Sequence, residues 1–352
     1  MLSTSKNERN QDNFNSTETI PLYRKNGALE NDNDVIEDDD MLLYGEVSEW
    51  TERLYIIRKA FPVFLAYLLQ NAIQLIISYG VATALDTLCS QAYTSGKVQM
   101  VGIYLQRAII INLIGLIPIA CIWWEAEQIF VLIGQDPKVS AQAALFLRYL
   151  LIGAPAFVMF ENLKRYLQAQ GIMKAGTYVL IICCPIDICL NFMLVWYKPL
   201  SLGLIGAPIA TSTIYWLMFL FLVIYTKFID GYKAWGGWSC AAFYGWKQYF
   251  VYAGPGVLMV CAEWWAFEFG SLISGYISEN SLASQGILVT SINILYQLPF
   301  GVSISASNRI GNLLGAGLAE RAKMATKLSM QLAIIVALFN TFLLIILREY
   351  WG

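Results

Sequence analysis

From about position 60 onward the chain reads as long apolar runs separated by short polar breaks, each run long enough to cross roughly 30 Å of hydrocarbon. The pattern predicts helices over residues 60–85, 101–124, 141–160, 176–196, 204–225, 250–276, 282–306 and 325–347, about eight spans in all. Loop chemistry marks the breaks: residues 134–137, Lys198 with Pro199, residues 235–238 with their paired glycines, and residues 278–281. The implied fold class is all-α and integral to a membrane. Residues 1–50 read differently, rich in Asn, Ser and Thr and carrying Asp38, Asp39 and Asp40. That stretch is too polar to bury a core and is predicted to be a disordered, acidic, cytosolic tail, with docking of a cytosolic partner as its alternative use. No short apolar region with a cleavage site opens the chain, so the first membrane helix is expected to serve as the signal.

Within this pattern two stretches run in step. Residues 80–96 (GVATALDTLCSQAYTSG) and 301–317 (GVSISASNRIGNLLGAG) each leave an apolar run, turn to small and polar residues, and end in a glycine followed by a charged helix. An internal repeat in a hydrophobic chain is the mark of a transporter built from two related bundles, with its site where they face each other. The offset between the repeats is not constant. Pro62 and Pro255 stand 193 apart while Gly80 and Gly301 stand 221 apart, so the first half is 28 residues shorter there, about one helix and its turn.

Composition agrees with a membrane protein: 57% of residues are hydrophobic, only 14% are charged, and mean hydropathy is +0.54. A soluble domain carries charge near 25%, so the net charge of -2 matters less than where the charges sit. Lys164, Arg165 and Lys174 read as one basic connection, Lys227, Lys233 and Lys247 as a second, and Arg309, Arg321, Lys323 and Lys327 as a third. The intervening loops carry Glu125, Glu127, Asp136 and Glu279, an alternation that puts the basic loops in the cytosol together with Arg53, Arg58, Lys59, Lys97 and Arg107. Two cytosolic ends, Lys59 and Lys97, flank one predicted span where parity needs an even number, which the shortened first half explains. The seven cysteines lie mostly in apolar runs and read as free thiols rather than a disulfide framework. The chain has no His, so proton work falls to carboxylates and no metal-ligand cluster or nucleophile with a base emerges; an enzyme is not the expected reading.

PFGVSISASNRIGNLLGAG (residues 299–317), TALDTLCSQAYTSG (83–96), GLIGAPIATS (203–212) and EWWAFE (263–268) together resemble the multidrug and toxic compound extrusion (MATE) family, in its eukaryotic, fungal-type branch. The resemblance runs from Phe61 to Leu347, interrupted near residues 70–80. It implies two pseudo-repeated six-helix lobes rocking about a central cavity, of which about eight of twelve spans are present. The implied organisation is a tail over 1–50, a first lobe over 51–230 lacking about one helix, a cytosolic inter-lobe loop over 231–248, and a second lobe over 249–352 that stops after its third helix. It further implies a monomeric antiporter in the plasma or vacuolar membrane, exporting small organic molecules, cationic ones above all, against protons or sodium. It implies no cofactor and no nucleic-acid partner. The alternative is an inactive or regulatory fragment of a full-length transporter.

Candidate chemistry follows from carboxylates at membrane depth. Glu263 and Glu268 fall inside the predicted span 250–276, where a charge is costly unless protonated, paired or wetted. Desolvation raises such a carboxyl's pKa, and a cation arriving beside it lowers it again, so proton and substrate would compete for one site. The resemblance points to the same two glutamates. Five residues apart, they project about 140° from each other on a helix and should not share one proton. Phe267 lies one turn from Glu263, and Trp264 and Trp265 lie one turn from Glu268, faces suited to organic cations. Asp86 either binds an ion or hydrogen-bonds across helices. Asp187 and Asn191, spaced by four just after Pro185, share a face as a second polar site or an inter-helix hydrogen bond. Tyr296 and Gln297, before Pro299, are candidates for lining the cavity. Gly311 and Gly315 form a small-xxx-small face for close helix contact, not a phosphate loop, and Asn308 with Arg309 is expected to cap that helix.

Overall fold

The computed structural model describes residues 82–132 and 137–347; the tail and most of the first predicted span lie outside the described residues, as do the side chains of Glu263 and Glu268. All regular structure among the described residues is helical. In chain order the α-helices are α1 (Ala82–Thr94), α2 (Val98–Trp124), α3 (Ala126–Leu132), α4 (Pro137–Leu150), α5 (Ala154–Ala169), α6 (Lys174–Asn191), α7 (Gly206–Phe228), α8 (Trp246–Ile277), α9 (Glu279–Gly315) and α10 (Ala319–Leu347). Six of the helical stretches are long and apolar enough to cross a membrane: Val98–Trp124, Lys174–Trp196, Gly203–Phe228, Trp246–Gly275, Ala283–Gly315 and Ala319–Ile346. Their outward faces carry exposed side chains such as Ile181, Ile188 and Leu338, as lipid contact requires.

The repeat is visible in the backbone. Gly96 and Gly317, repeat mates at the 221 offset, both take positive φ, 80° and 74°, ending α1 and α9 with a conformation that costs glycine little. The next helices then start at Val98 and Ala319, again 221 apart.

Where one straight span was expected over 141–160, the chain makes two helices, α4 and α5, bent by 48° across residues 151–153. Pro155 sits in the first turn of α5, where its missing N–H is harmless, and it disfavours helical continuation through Ala154. The bend costs Ile152 O its helical donor and leaves Tyr149 O only the Ile152 N–H, at 3.3 Å, and lipid offers neither a replacement. Helix α7 supplies the donors: Ser212 Oγ donates to Tyr149 O at 3.0 Å and Trp216 Nε1 to Ile152 O at 3.1 Å. Gly153 lets α7 come this close, since a Cβ there would lie 2.6 Å from Ser212 Cα. Two further expectations are corrected. Lys164 and Arg165 are not loop cations but lie on α5, which continues to Ala169 because no breaker precedes Gly171. Asn308 and Arg309 do not cap a helix; α9 runs on to Gly315, with buried Asn308 donating within it to Ile304 O at 3.0 Å.

Helices α1, α2, α5, α6 and α7, with Tyr249 and Ala253 from the start of α8, share one core around Leu85, Leu105, Phe160, Tyr166 and Leu222, and a second core around Trp123, Phe130, Leu147 and Val158 closes the far end of α2. Helices α8, α9 and α10 pack in sequence as a second group, which meets the first where α9 and α8 lie on α1. Replacing Gly153 by Val should force α7 from the bend and cost about 1–3 kcal/mol, read as a lowered thermal-unfolding midpoint in detergent. An unshifted midpoint would show that the close approach is dispensable.

Candidate functional site

The two repeat segments pack directly against each other. A Cβ at Gly311 would strike the Ser90 side chain, and one at Gly315 would strike Gln91 O and Thr94 Oγ1. Ser90 with Gly311 and Thr94 with Gly315 are repeat mates, both 221 apart, so α1 and α9 lie parallel and in register. Contact between equivalent residues at two successive turns places the pseudo-twofold relation of the lobes on this seam. Directional bonds across it are few. Thr94 Oγ1 donates to Asn312 O at 2.7 Å, and the Asn312 amide, oriented by its neighbours, donates to Ser90 O at 2.7 Å and Ala169 O at 3.3 Å. The small-xxx-small face read from Gly311 and Gly315 is this contact.

One turn up α1 from Ser90 the seam is backed by buried charge. Asp86 is ion-paired with Arg165 of α5, and both side chains are almost wholly buried. Glu161, one turn before Arg165 on α5, pairs with Lys164 at 2.6 Å. Asp86 Oδ1 and Glu161 Oε2 are buried without a hydrogen-bond partner. Nearby, Asn112 Nδ2 donates to Asn162 Oδ1 at 3.2 Å, tying α2 to α5. Two acids against two bases leave the cluster neutral, and each acid depends on its cation to be tolerated there.

The remaining candidates are scattered rather than gathered. Asp187 and Asn191 do share a face, with Asn191 Nδ2 donating to Asp187 Oδ1 at 2.8 Å, half-buried on α6 beyond Pro185. Tyr296 stacks on Phe300 with ring centres 5.6 Å apart. Gln297 lines an open cleft of about 630 Å³ between α9 and α10, together with Leu298, Ser305, Arg309, Ser329 and Leu332. Glu263 and Glu268 lie on α8 behind Pro255. No group of three or more acidic, Cys or His side chains suited to a metal occurs among the described residues. Sequence reasoning missed Arg165 as the partner of Asp86, because a cation beside Lys164 read as loop charge. The signal available was the unbroken helical stretch through residue 169.

Two outcomes test this geometry. Gly311→Val should separate α9 from α1 and cost about 1–3 kcal/mol of thermal stability in detergent, whereas Gly301→Val, where added atoms meet open space, should cost far less. Arg165→Met should leave Asp86 buried and unpaired at a cost of about 3–5 kcal/mol, with Asp86→Asn recovering much of it in the double variant; additive losses in a double-mutant cycle would refute the pairing.

The MatE family model matches residues 62–193 and 255–352. An uncharacterised transporter of Saccharomyces cerevisiae is 42% identical over 287 residues, covering 82% of this chain and 41% of the relative. Multidrug and toxin extrusion protein 2 of Mus musculus is 33% identical over 289 residues, covering 82% and 50%. A crystal structure of a eukaryotic MATE transporter superposes with a TM-score of 0.74 at 28% identity, over 89% of this chain and 68% of that one. The chain thus spans about half the length, or less, of these curated relatives. The matched residues bracket both repeat segments and the parallel seam between them, and by sequence and fold alike this chain belongs to the MatE family of multi-pass membrane proteins.

Proposed function

We propose that the chain provides the lobes of a secondary active antiporter that exports small organic molecules, cationic ones above all, in exchange for protons. The observation that carries the reading is the seam: two repeat-related helices touch at equivalent residues through glycine, a contact two rigid lobes can make and release. Family membership supports the same activity, since relatives carry multidrug and toxin extrusion in their names. In this reading Glu263 and Glu268 on α8 are the proton and cation sites, with aromatic neighbours Trp264, Trp265 and Phe267 for the organic cation. Tyr296 and Gln297 line the path on α9, and Asp187 with Asn191 forms a second polar site in the first lobe. Asp86 is a positioning residue, because its carboxylate is held by Arg165. Sodium is the alternative coupling ion. The protein acts as a monomer in the plasma or vacuolar membrane and needs no cofactor.

The physical logic is competition for one buried charge. A protonated carboxyl crosses a low-dielectric environment cheaply, and a cation docking beside it favours the ionised form, so cargo entry expels the proton. Proteoliposomes holding the full chain should acidify or alkalinise when an organic cation gradient is imposed, and Glu263→Gln should abolish that proton movement while leaving thermal stability near wild type. Coupling that survives in Glu263→Gln and Glu268→Gln alike would remove both glutamates from the mechanism. Proton movement replaced by a sodium requirement would change the coupling ion.

A further inference from the structure

The connection between α7 and α8, residues 229–245, is not a free linker. Its inner face is docked on the first lobe. Gln106 of α2 uses both ends of its amide, Nε2 donating to Gly237 O at 2.7 Å and Oε1 accepting from Ser239 N at 3.0 Å. Arg107 donates to Ala241 O at 3.1 Å, and Tyr166 Oη donates to Gly231 O at 2.8 Å. Ala234 and Ala242 are buried, and a Cβ at Gly102 would lie 2.8 Å from Ala234 O, so the strap sits hard against α2. Trp246 Nε1 closes it with a bond to Ala242 O at 3.1 Å.

The outer face is then fixed in space, and its chemistry is distinctive. Trp238 is 81% exposed, Tyr244 73%, Phe243 63% and Tyr232 55%. Exposed lysines flank them at Lys227, Lys233 and Lys247, against one acid, Asp230. The strap joins the ends of two helices long and apolar enough to cross a membrane, Gly203–Phe228 and Trp246–Gly275, which puts it at the membrane edge. Aromatic side chains with polar handles favour the headgroup layer, and lysines beside them favour anionic headgroups. Trp238 stands edge-on against Trp235 with ring centres 5.3 Å apart, and the outward surface of all four aromatic side chains would face water if no leaflet covered it.

We propose that the outer face of residues 229–245 is a docking surface for anionic phospholipid headgroups, presented by the Gln106 clamp. The aromatic rings enter the glycerol level of the leaflet and the three lysines pair with phosphates above them. This surface is separate from the residues assigned to transport, and its test reads no transport.

The chain has eleven Trp, and the difference between wild type and Trp238→Phe reads the emission of Trp238 together with its ring partner Trp235. In nanodiscs of phosphatidylcholine with phosphatidylserine, that component should be quenched by lipids brominated near the glycerol end and shielded from aqueous acrylamide. Lys227, Lys233 and Lys247 changed together to Gln should raise the phosphatidylserine fraction needed for half of the quenching. Gln106→Leu should weaken lipid quenching by freeing the strap; the lysine variant, altered only at exposed positions, keeps the test decisive if Gln106→Leu does not fold. Acrylamide quenching without lipid quenching would overturn the proposal, whether the face meets water or a protein. So would equal lipid quenching in phosphatidylcholine alone and in the lysine variant, which would mean aromatic insertion without headgroup recognition.

Discussion

The two lobes meet as equivalents at one contact, that of Ser90 with Gly311 and of Thr94 with Gly315. Lipid tails are as apolar as leucine, so the hydrophobic effect does little to bring one membrane helix to another. What remains is close van der Waals approach and a few hydrogen bonds, and both demand small residues. The repeat supplies them at one offset, so the two helices meet as equivalents. The left-handed glycines Gly96 and Gly317 then end each with the same kind of backbone conformation, and the next helices, α2 and α10, begin two residues on in both.

The first lobe is held by a different kind of force. Buried Asp86 and Arg165 bind α1 to α5, and breaking such a pair by removing one partner costs about 3–5 kcal/mol. The α4–α5 bend is likewise tied to α7 by two hydrogen bonds to freed carbonyls, and the strap by the Gln106 amide. These are the contacts of a body that keeps its shape.

Much of this was legible in the chain before any coordinates. The apolar runs located the spans from 101 onward because a membrane demands about twenty apolar residues per crossing, and the pairing of Gly80 with Gly301 carried the offset that the seam obeys. Helix ends were less legible: α9 passes nine residues beyond the predicted 306 because Asn308 and Gly311 are buried in protein and Asn312 bonds across the seam, while Ser307 and Arg309 stay exposed on the other face. The broken span failed for a related reason. Hydropathy sums over residues 141–160 without registering that Pro155 and Gly153 break the axis, or that Ser212 and Trp216 wait to repair it. Arg165 was misread because charge counting treats every cation as solvated, and only the fold reveals the Asp86 carboxylate 79 residues away in sequence.

The contrast in strength decides where the molecule can come apart. Across the seam the described hydrogen bonds are those of Thr94 and Asn312, and in a bilayer such bonds average only about 0.6 kcal/mol each. Separating Gly311 from Ser90 strands no ion pair, although Asn308 and Leu313 of the same α9 stretch are buried as well. Separating α1 from α5 would strand a carboxylate and a guanidinium. Parting the lobes between α1 and α9 would also draw Tyr249 and Ala253 of α8 out of the first-lobe core, so the glycine seam and the α8 contact together set what that opening costs.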